Sequence, residues 1–256
     1  MSAVLGEGGN AEGADARFAG RVYGVDRGAN FRDPHHPSEA AGNVLCMPDR
    51  PAALAARHGM TEEDLLARLD AINARLYEAR AKRDQPLLDD KSLASWNGLM
   101  IRALAVSGAL LGEPRYVQAA ARAAEFVLEQ MRDRGPEQRG GGELLRTFRA
   151  GTAKTPAFLE DYAFVAGGLI ELHNTGVEPN GRYLDAAREL LAEARRRFGG
   201  SEGGFFDTAA GQSDLFVRAR SSHDGAVPSG SGAMLHALLD LAHLAGDASY
   251  RERAIE

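Results

Sequence analysis

Asp89-Asp90-Lys91-Ser92-Leu93-Ala94-Ser95-Trp96-Asn97-Gly98-Leu99-Met100-Ile101 is the stretch whose reading decides the fold. It sets two carboxylates, an amine, an indole and an amide directly ahead of a strongly apolar helical pattern. Polar groups gathered where an apolar helix begins are costly to bury without partners. A cavity ringed by helix starts would supply those partners. The same kind of segment recurs downstream, and the recurrence defines the architecture.

Three segments overlay on one another. They start at Trp96, Tyr162 and Ser229 and run to Tyr116, Tyr183 and Tyr250; each tyrosine is followed four residues later by alanine (Ala120, Ala187, Ala254). A spacing of this kind marks a repeated supersecondary unit. The first half of each unit reads as a buried helix, with Leu99, Ala103, Val106 and Leu110 in one row. Leu169, Leu172, Leu235, Leu238, Leu239 and Leu241 take the corresponding parts later. The second half is amphipathic: Ala119, Ala120, Ala123, Ala124, Val127 and Met131 face one way, and Gln118, Arg122, Glu125, Glu129 and Arg132 the other. Gly112-Glu-Pro114, Pro179-Asn-Gly181 and Gly246-Asp247 supply the turns.

The gaps between hairpins carry β signals. Gly140-Gly-Gly142 precedes a strand over 143–148, and 205–208 is expected to pair with 215–218. Thr61-Glu-Glu-Asp64 resembles a capping box and opens a helix through Leu65, Leu69, Ile72 and Leu76. The expectation is therefore an all-α fold: a partial (α/α)6-toroid of helical hairpins with short β-hairpins at one rim. Residues 1–60 are expected to form an irregular segment packed on it, with one short helix around Ala14–Val22, and 61–256 the toroid. Three visible units fall short of a closed ring, which predicts a fragment of a larger toroid or a partial toroid that pairs with something else.

Bulk properties narrow the class. The chain has 256 residues, 44% of them hydrophobic, and a net charge of −6, which disfavours nucleic-acid and acidic-membrane partners. Cys46 is the single cysteine, so no internal disulfide or Cys-x-x-Cys pair exists. No apolar run reads as transmembrane, and the N-terminus lacks a secretory pattern. A cytoplasmic setting is the expectation. No metal-ligand spacing or phosphate-loop ending is present, so neither metal nor cofactor is expected.

The chain resembles the thioredoxin-domain-containing, spermatogenesis-associated protein 20-like family. The residues that carry the resemblance are Tyr23-Gly-Val25, Asn30-Phe31, Asn43-Val-Leu45, Asp89-Asp-Lys91, Ser95-Trp-Asn-Gly-Leu-Met-Ile101, Leu159-Glu-Asp-Tyr-Ala-Phe164, Gly203-Gly-Phe-Phe-Asp-Thr208 and Asp224-Gly-Ala-x-Pro-Ser-Gly230. The resemblance implies a toroid similar to N-acylglucosamine 2-epimerases and six-hairpin glycosidases. It also implies a thioredoxin-like domain in a full-length parent, which this sequence lacks.

Equivalent repeats place Asp89, Asp90 and Lys91, Glu160 and Asp161, and His223 and Asp224 at equivalent rims of one cavity. A small sugar-like ligand follows: Trp96 and Tyr162 stacking on rings, and Asn97, Asp89, Lys91, His223, Asp224 and Ser229 binding. Asp90 and Asp161 are the expected acid/base carboxylates, with Glu160 orienting and Lys91 tuning. Ser229 reads more naturally as an N-cap than as a nucleophile. His173, His236 and His243 lie in helical patterns, His236 and His243 on one face. The epimerase resemblance implies histidine acid/base chemistry, but none of the three sits at a recognisable epimerase motif position. The function expected is carbohydrate binding or processing, epimerase- or isomerase-like. The alternatives are a glycoside hydrolase pairing Asp90 with Asp161 or Glu160, and a non-catalytic scaffold.

Overall fold

A computed structural model of the chain describes residues 2–5, 11–133, 142–212, 215–246, 249–250 and 252. The turns expected at 140–141 and Asp247, and Ala254 of the third repeat, lie outside the described residues. The chain divides into two compact units, Met1–Leu88 and Asp89–Glu256. The division at Leu88 differs from the one expected at residue 60, because the capped helix from Glu62 packs with the elements before it.

In the first unit α1 (Ser2–Leu5), α2 (Ala11–Val22), α3 (Pro51–Arg57) and α4 (Glu62–Ala81) surround a small core. Phe18, Val22, Leu54, Leu65, Leu69 and Ile72 are buried there. Thr61 caps α4 by accepting the Asp64 N–H at 3.1 Å, as its sequence requires. The intervening loop is clamped by the Asn30 side-chain amide. It donates to the Val44 carbonyl at 2.9 Å and accepts the Val44 N–H at 2.8 Å.

The second unit holds the repeats. Its helices are α5 (Ala94–Leu111), α6 (Pro114–Gln130), α7 (Leu159–Asn174), α8 (Arg182–Phe198) and α9 (Gly230–Ala245). Gly112 and Gly181 adopt left-handed conformations at the two hairpin turns (φ 65° and 76°), where a side chain would be strained. Helices α5, α7 and α9 form the inner layer and α6 and α8 the outer one. The sequence repeat becomes a spatial register: α5 and α7 lie parallel, joined by hydrogen bonds between residues 66 apart at their starts and 69 apart further along.

The contact between α5 and α7 is closer than large side chains allow. A Cβ on Gly98 would lie 2.4 Å from the Phe164 carbonyl carbon, and one on Gly168 2.7 Å from the Gly98 oxygen. The buried face of α5 is accordingly Ala94, Ser95, Gly98, Ile101, Ala105 and Gly108. The expected Leu99/Ala103/Val106/Leu110 row is not the packed one, and Leu110 is 81% exposed. Leu235 and Leu239 of α9 are likewise exposed, while Leu238 and Leu241 are buried. Helix α6 follows its expected inward row, with Ala120, Ala124, Val127 and Met131 in the core, but the Arg132 side chain, expected outward, is buried against Glu189 and Glu193. By length and composition α5 could cross a membrane, with 18 residues of mean hydropathy 1.2. That corrects the sequence reading, although here α5 packs on α6 and α7.

Strand β3 (Glu143–Arg149) lies where expected and pairs with β1 (Ser92–Leu93), β2 (Arg132–Asp133) and β4 (Thr152–Pro156), all antiparallel. Ala150 and Gly151, both with positive φ, make the two-residue turn from β3 to β4. The expected strands at 205–208 and 215–218 do not form a ladder. Asp207 N–H instead donates to the Ala219 carbonyl at 2.9 Å, and the Arg218 guanidinium holds the Thr208 carbonyl at 2.6 Å. One backbone bond and the Arg218 side chain take the place of the ladder.

Candidate functional site

The acidic residues ahead of the inner helices are the first test of the expected rim. Asp161 is fully buried. One oxygen accepts the Ser95 N–H at the start of α5, and the other accepts the Phe158 N–H and an Arg146 N–H, all at 2.8–2.9 Å. Glu160 shares Arg146 at 2.9 Å. Asp224 accepts the Ser229 N–H at 2.9 Å, and Ser229 caps α9 by accepting the Gly232 N–H at 3.1 Å. Each inner-helix start therefore receives a carboxylate or hydroxyl cap, satisfying N–H groups that the helix cannot pair internally. Capping accounts for the polar residues before α7 and α9, whereas Asp89, Asp90 and Lys91 before α5 cap no helix.

Several expected ligand contacts are corrected by this geometry. Tyr162 has no exposed ring face, and its hydroxyl accepts the buried Leu144 N–H at 3.1 Å. Burial drives its pKa upward. Asn97 turns back to donate to the Leu93 carbonyl at 2.8 Å. Asp90 pairs with Arg149, and Asp89 with Lys91 at 3.2 Å, on the surface. The hydrogen bonds from Lys91 hold the Asp89 carboxyl below the usual range. Arg146 and Arg149 lie three residues apart on β3, so alternation sends them to opposite faces. Asp90 and Asp161 follow their arginines and do not converge as an acid/base pair. Trp96 and His223 are exposed, with Trp96 on a face of α5 turned away from α7.

The residues that do converge lie deeper along the inner helices. A cavity of about 410 Å³ is bounded by α5, α7, α9 and the 224–228 loop. Its apolar wall is formed by Leu99, Ala163, Phe164, Ala233 and Ala237, and its polar groups are Arg102, Asp224 and His236. Arg102 pairs with Glu171 at 3.3 Å. Asp240 lies one helical turn beyond His236, as i, i+4 spacing dictates. Burial raises its pKa, and Glu171 adds to that, against the opposing pull of Arg102, His236 and His243. Three elements thus deliver a guanidinium, an imidazole and one carboxylate to the hollow, with Glu171 paired to that guanidinium. That set can orient hydroxyl or carbonyl oxygens and move a proton. A second hollow, about 510 Å³, lies beside Arg195, Arg196 and the Gly199–Gly204 loop at the end of α8. Its two arginines come from a single helix, and it lies off the shared inner face.

Arg102, Glu171 and Asp240 were absent from the sequence candidates. Their signal was present: Arg102 is the only Lys, Arg, Asp or Glu in α5, and Asp240 the only one in α9. Of these lone charges Arg102 lines the hollow, and Asp240 lies one turn beyond His236.

An (α/α)-toroid built of parallel inner helices, with a polar hollow on their shared face, is the class this geometry defines. The chain is similar to human spermatogenesis-associated protein 20, at 33% identity over 91% of the chain, and to the mouse protein at 34% over the same share. The resemblance drawn from the motifs is borne out. The chain spans about 30% of the length of these relatives. Among solved structures it is similar to cellobiose 2-epimerase from Bacillus thermoamylovorans (TM-score 0.52, 16% identity, 64% of this chain and 42% of that one). It is also similar to a family 76 α-mannanase of Bacteroides thetaiotaomicron (TM-score 0.50, 17% identity, 68% and 44%). These likenesses establish the toroid fold. No protein-family model matches the chain.

Proposed function

We propose that this chain is part of a carbohydrate-binding and carbohydrate-processing toroid whose ligand lies in the α5/α7/α9 hollow. The observation that carries this reading is the convergence of Arg102, Asp224 and His236 from three elements on one cavity beside an apolar wall. An apolar wall with a few directed polar groups suits a pyranose, which has C–H faces and a hydroxyl edge. The acidic groups nearby offset Arg102, since Glu171 pairs with it and Asp224 faces the same hollow. The site therefore suits a neutral saccharide better than an anionic one. His236 is the proton-transfer group of this proposal, with Arg102 holding the oxygen at which charge develops. Support also comes from the fold neighbours, whose names record a cellobiose epimerase and a mannanase.

The hydrolase reading, with Asp90 paired to Asp161 or Glu160, has less support: Asp161 is committed to Arg146, Ser95 and Phe158, and Glu160 is bonded to Arg146. A cytoplasmic setting belongs to the same proposal and rests on the exposed free thiol of Cys46. Calorimetric titration of the chain with cellobiose and an α-linked mannobiose tests the reading. Binding lost in both Arg102→Ala and His236→Ala, with thermal stability retained, supports it. Absence of binding in the unaltered chain, or binding indifferent to both substitutions, overturns it.

A further inference from the structure

Helix α7 carries two adjacent glycines in its middle, and they differ. Gly168 is required by packing, because its Cβ would lie 2.7 Å from the Gly98 oxygen and 3.2 Å from the Ile101 side chain. Gly167 is equally buried, yet a Cβ there would meet nothing within 4 Å. It has helical backbone geometry, so no turn or positive φ asks for glycine. In a helix interior alanine is favoured over glycine, since glycine loses more freedom on folding. A buried helical glycine with free space above it and no conformational reason to be glycine leaves room for something else. That space is the α5/α7/α9 hollow, whose wall includes Gly167.

We infer that Gly167 sets the depth of the ligand site: its bare backbone is the floor on which the apolar face of a bound saccharide ring rests. The chemistry around it fits this role. Ala163, one turn before Gly167, and Phe164 continue the apolar floor along α7. Arg102, Asp224 and His236 stand on the flanking elements, where they meet the ring's polar edge rather than its face. A methyl group at residue 167 would occupy the layer where ring carbons lie, and a larger side chain would fill it. The inference rests on the saccharide reading above and specifies which position limits the size of ligand the hollow admits.

The test uses the 256-residue chain with Gly167→Ala and Gly167→Leu, read by thermal unfolding and by titration with cellobiose and an α-linked mannobiose. Gly167→Ala is expected to raise Tm by about 2–4 °C, the shift that a helix-interior gain of this kind produces in a protein of this size. The same variant is expected to weaken disaccharide binding several-fold, and Gly167→Leu at least tenfold. A fall in Tm with Gly167→Ala would show the space to be filled and overturn the inference. So would binding unchanged in both variants while the unaltered chain binds, an outcome that leaves the saccharide reading standing. An unaltered chain that binds neither disaccharide overturns the saccharide reading and this inference with it. More stable but weaker-binding variants establish it.

Discussion

The Asp161 carboxylate accepts the backbone N–H of Ser95, 66 residues earlier in the chain, at 2.9 Å in the fully buried seam between α5 and α7. One side chain of the second repeat thus caps the first helix of the repeat before it. The same carboxylate closes its own helix start at Phe158 and anchors Arg146 of β3. A residue with the sequence credentials of a catalytic acid is the junction of two helices and a strand.

Asp161→Ala is expected to destabilise the second unit by about 3–5 kcal/mol, since it strands Arg146 and removes two backbone caps. Asp90→Ala, which breaks only the exposed pair with Arg149, is expected to cost under about 1 kcal/mol. Urea denaturation of the two variants side by side measures the contrast. Equal losses would refute the division of roles.

Gly98→Ala is expected to destabilise by about 1–3 kcal/mol, the usual cost of overpacking, because the new methyl meets α7 backbone that cannot swing aside. Gly167→Ala on the neighbouring helix carries the opposite sign. Thermal unfolding distinguishes a protein in which all helical glycines are interchangeable from one in which each has its own reason.

Tyr162→Phe keeps the ring packed against Phe198, at 5.5 Å between centroids, but leaves the Leu144 N–H without its acceptor. A loss of about 1–3 kcal/mol is expected, the cost of an unsatisfied buried donor. Saccharide binding should be unaffected, and a large affinity change measured by calorimetry would return this tyrosine to the ligand site.

Asp240 gives a pH signature. Its folded-state pKa is raised above the ordinary 3.8, chiefly by burial, so ionising it is harder in the folded than in the unfolded chain. Its contribution to stability therefore falls as pH rises from the unfolded value through the higher folded one. Asp240→Asn is expected to gain stability relative to the unaltered chain at neutral pH, with the difference vanishing at acid pH. Denaturation midpoints of both proteins across pH 3–7 check the sign.

The two-layer repeat was legible because its signals are local. Left-handed glycines at Gly112 and Gly181, Pro114 at a helix start and the periodic tyrosines act within a few residues. The packed face of α5 was not, because hydrophobicity ranks Leu110 above Gly98, while the close approach of α7 ranks them in reverse. The roles of the acidic residues were hard to read for a related reason. Acidic residues before a helix are the same whether they cap backbone or bind sugar, and only the N–H groups that Ser95, Phe158 and Ser229 donate to them separate the two. Arg102 and Asp240 drew no reading from the sequence, because only the fold brings α5 and α9 to either side of α7.

Because α5 and α7 run side by side in the same direction, their peptide dipoles reinforce instead of cancelling, as they would in an antiparallel pair. Such alignment concentrates positive potential at one end of the layer and sets up mutual repulsion between neighbours. Asp161, lodged between the two starts, supplies one negative charge that both can use. Its two oxygens accept N–H groups at both helix starts while Arg146 balances its charge, so α5 depends on the following repeat for its cap as well as for its packing.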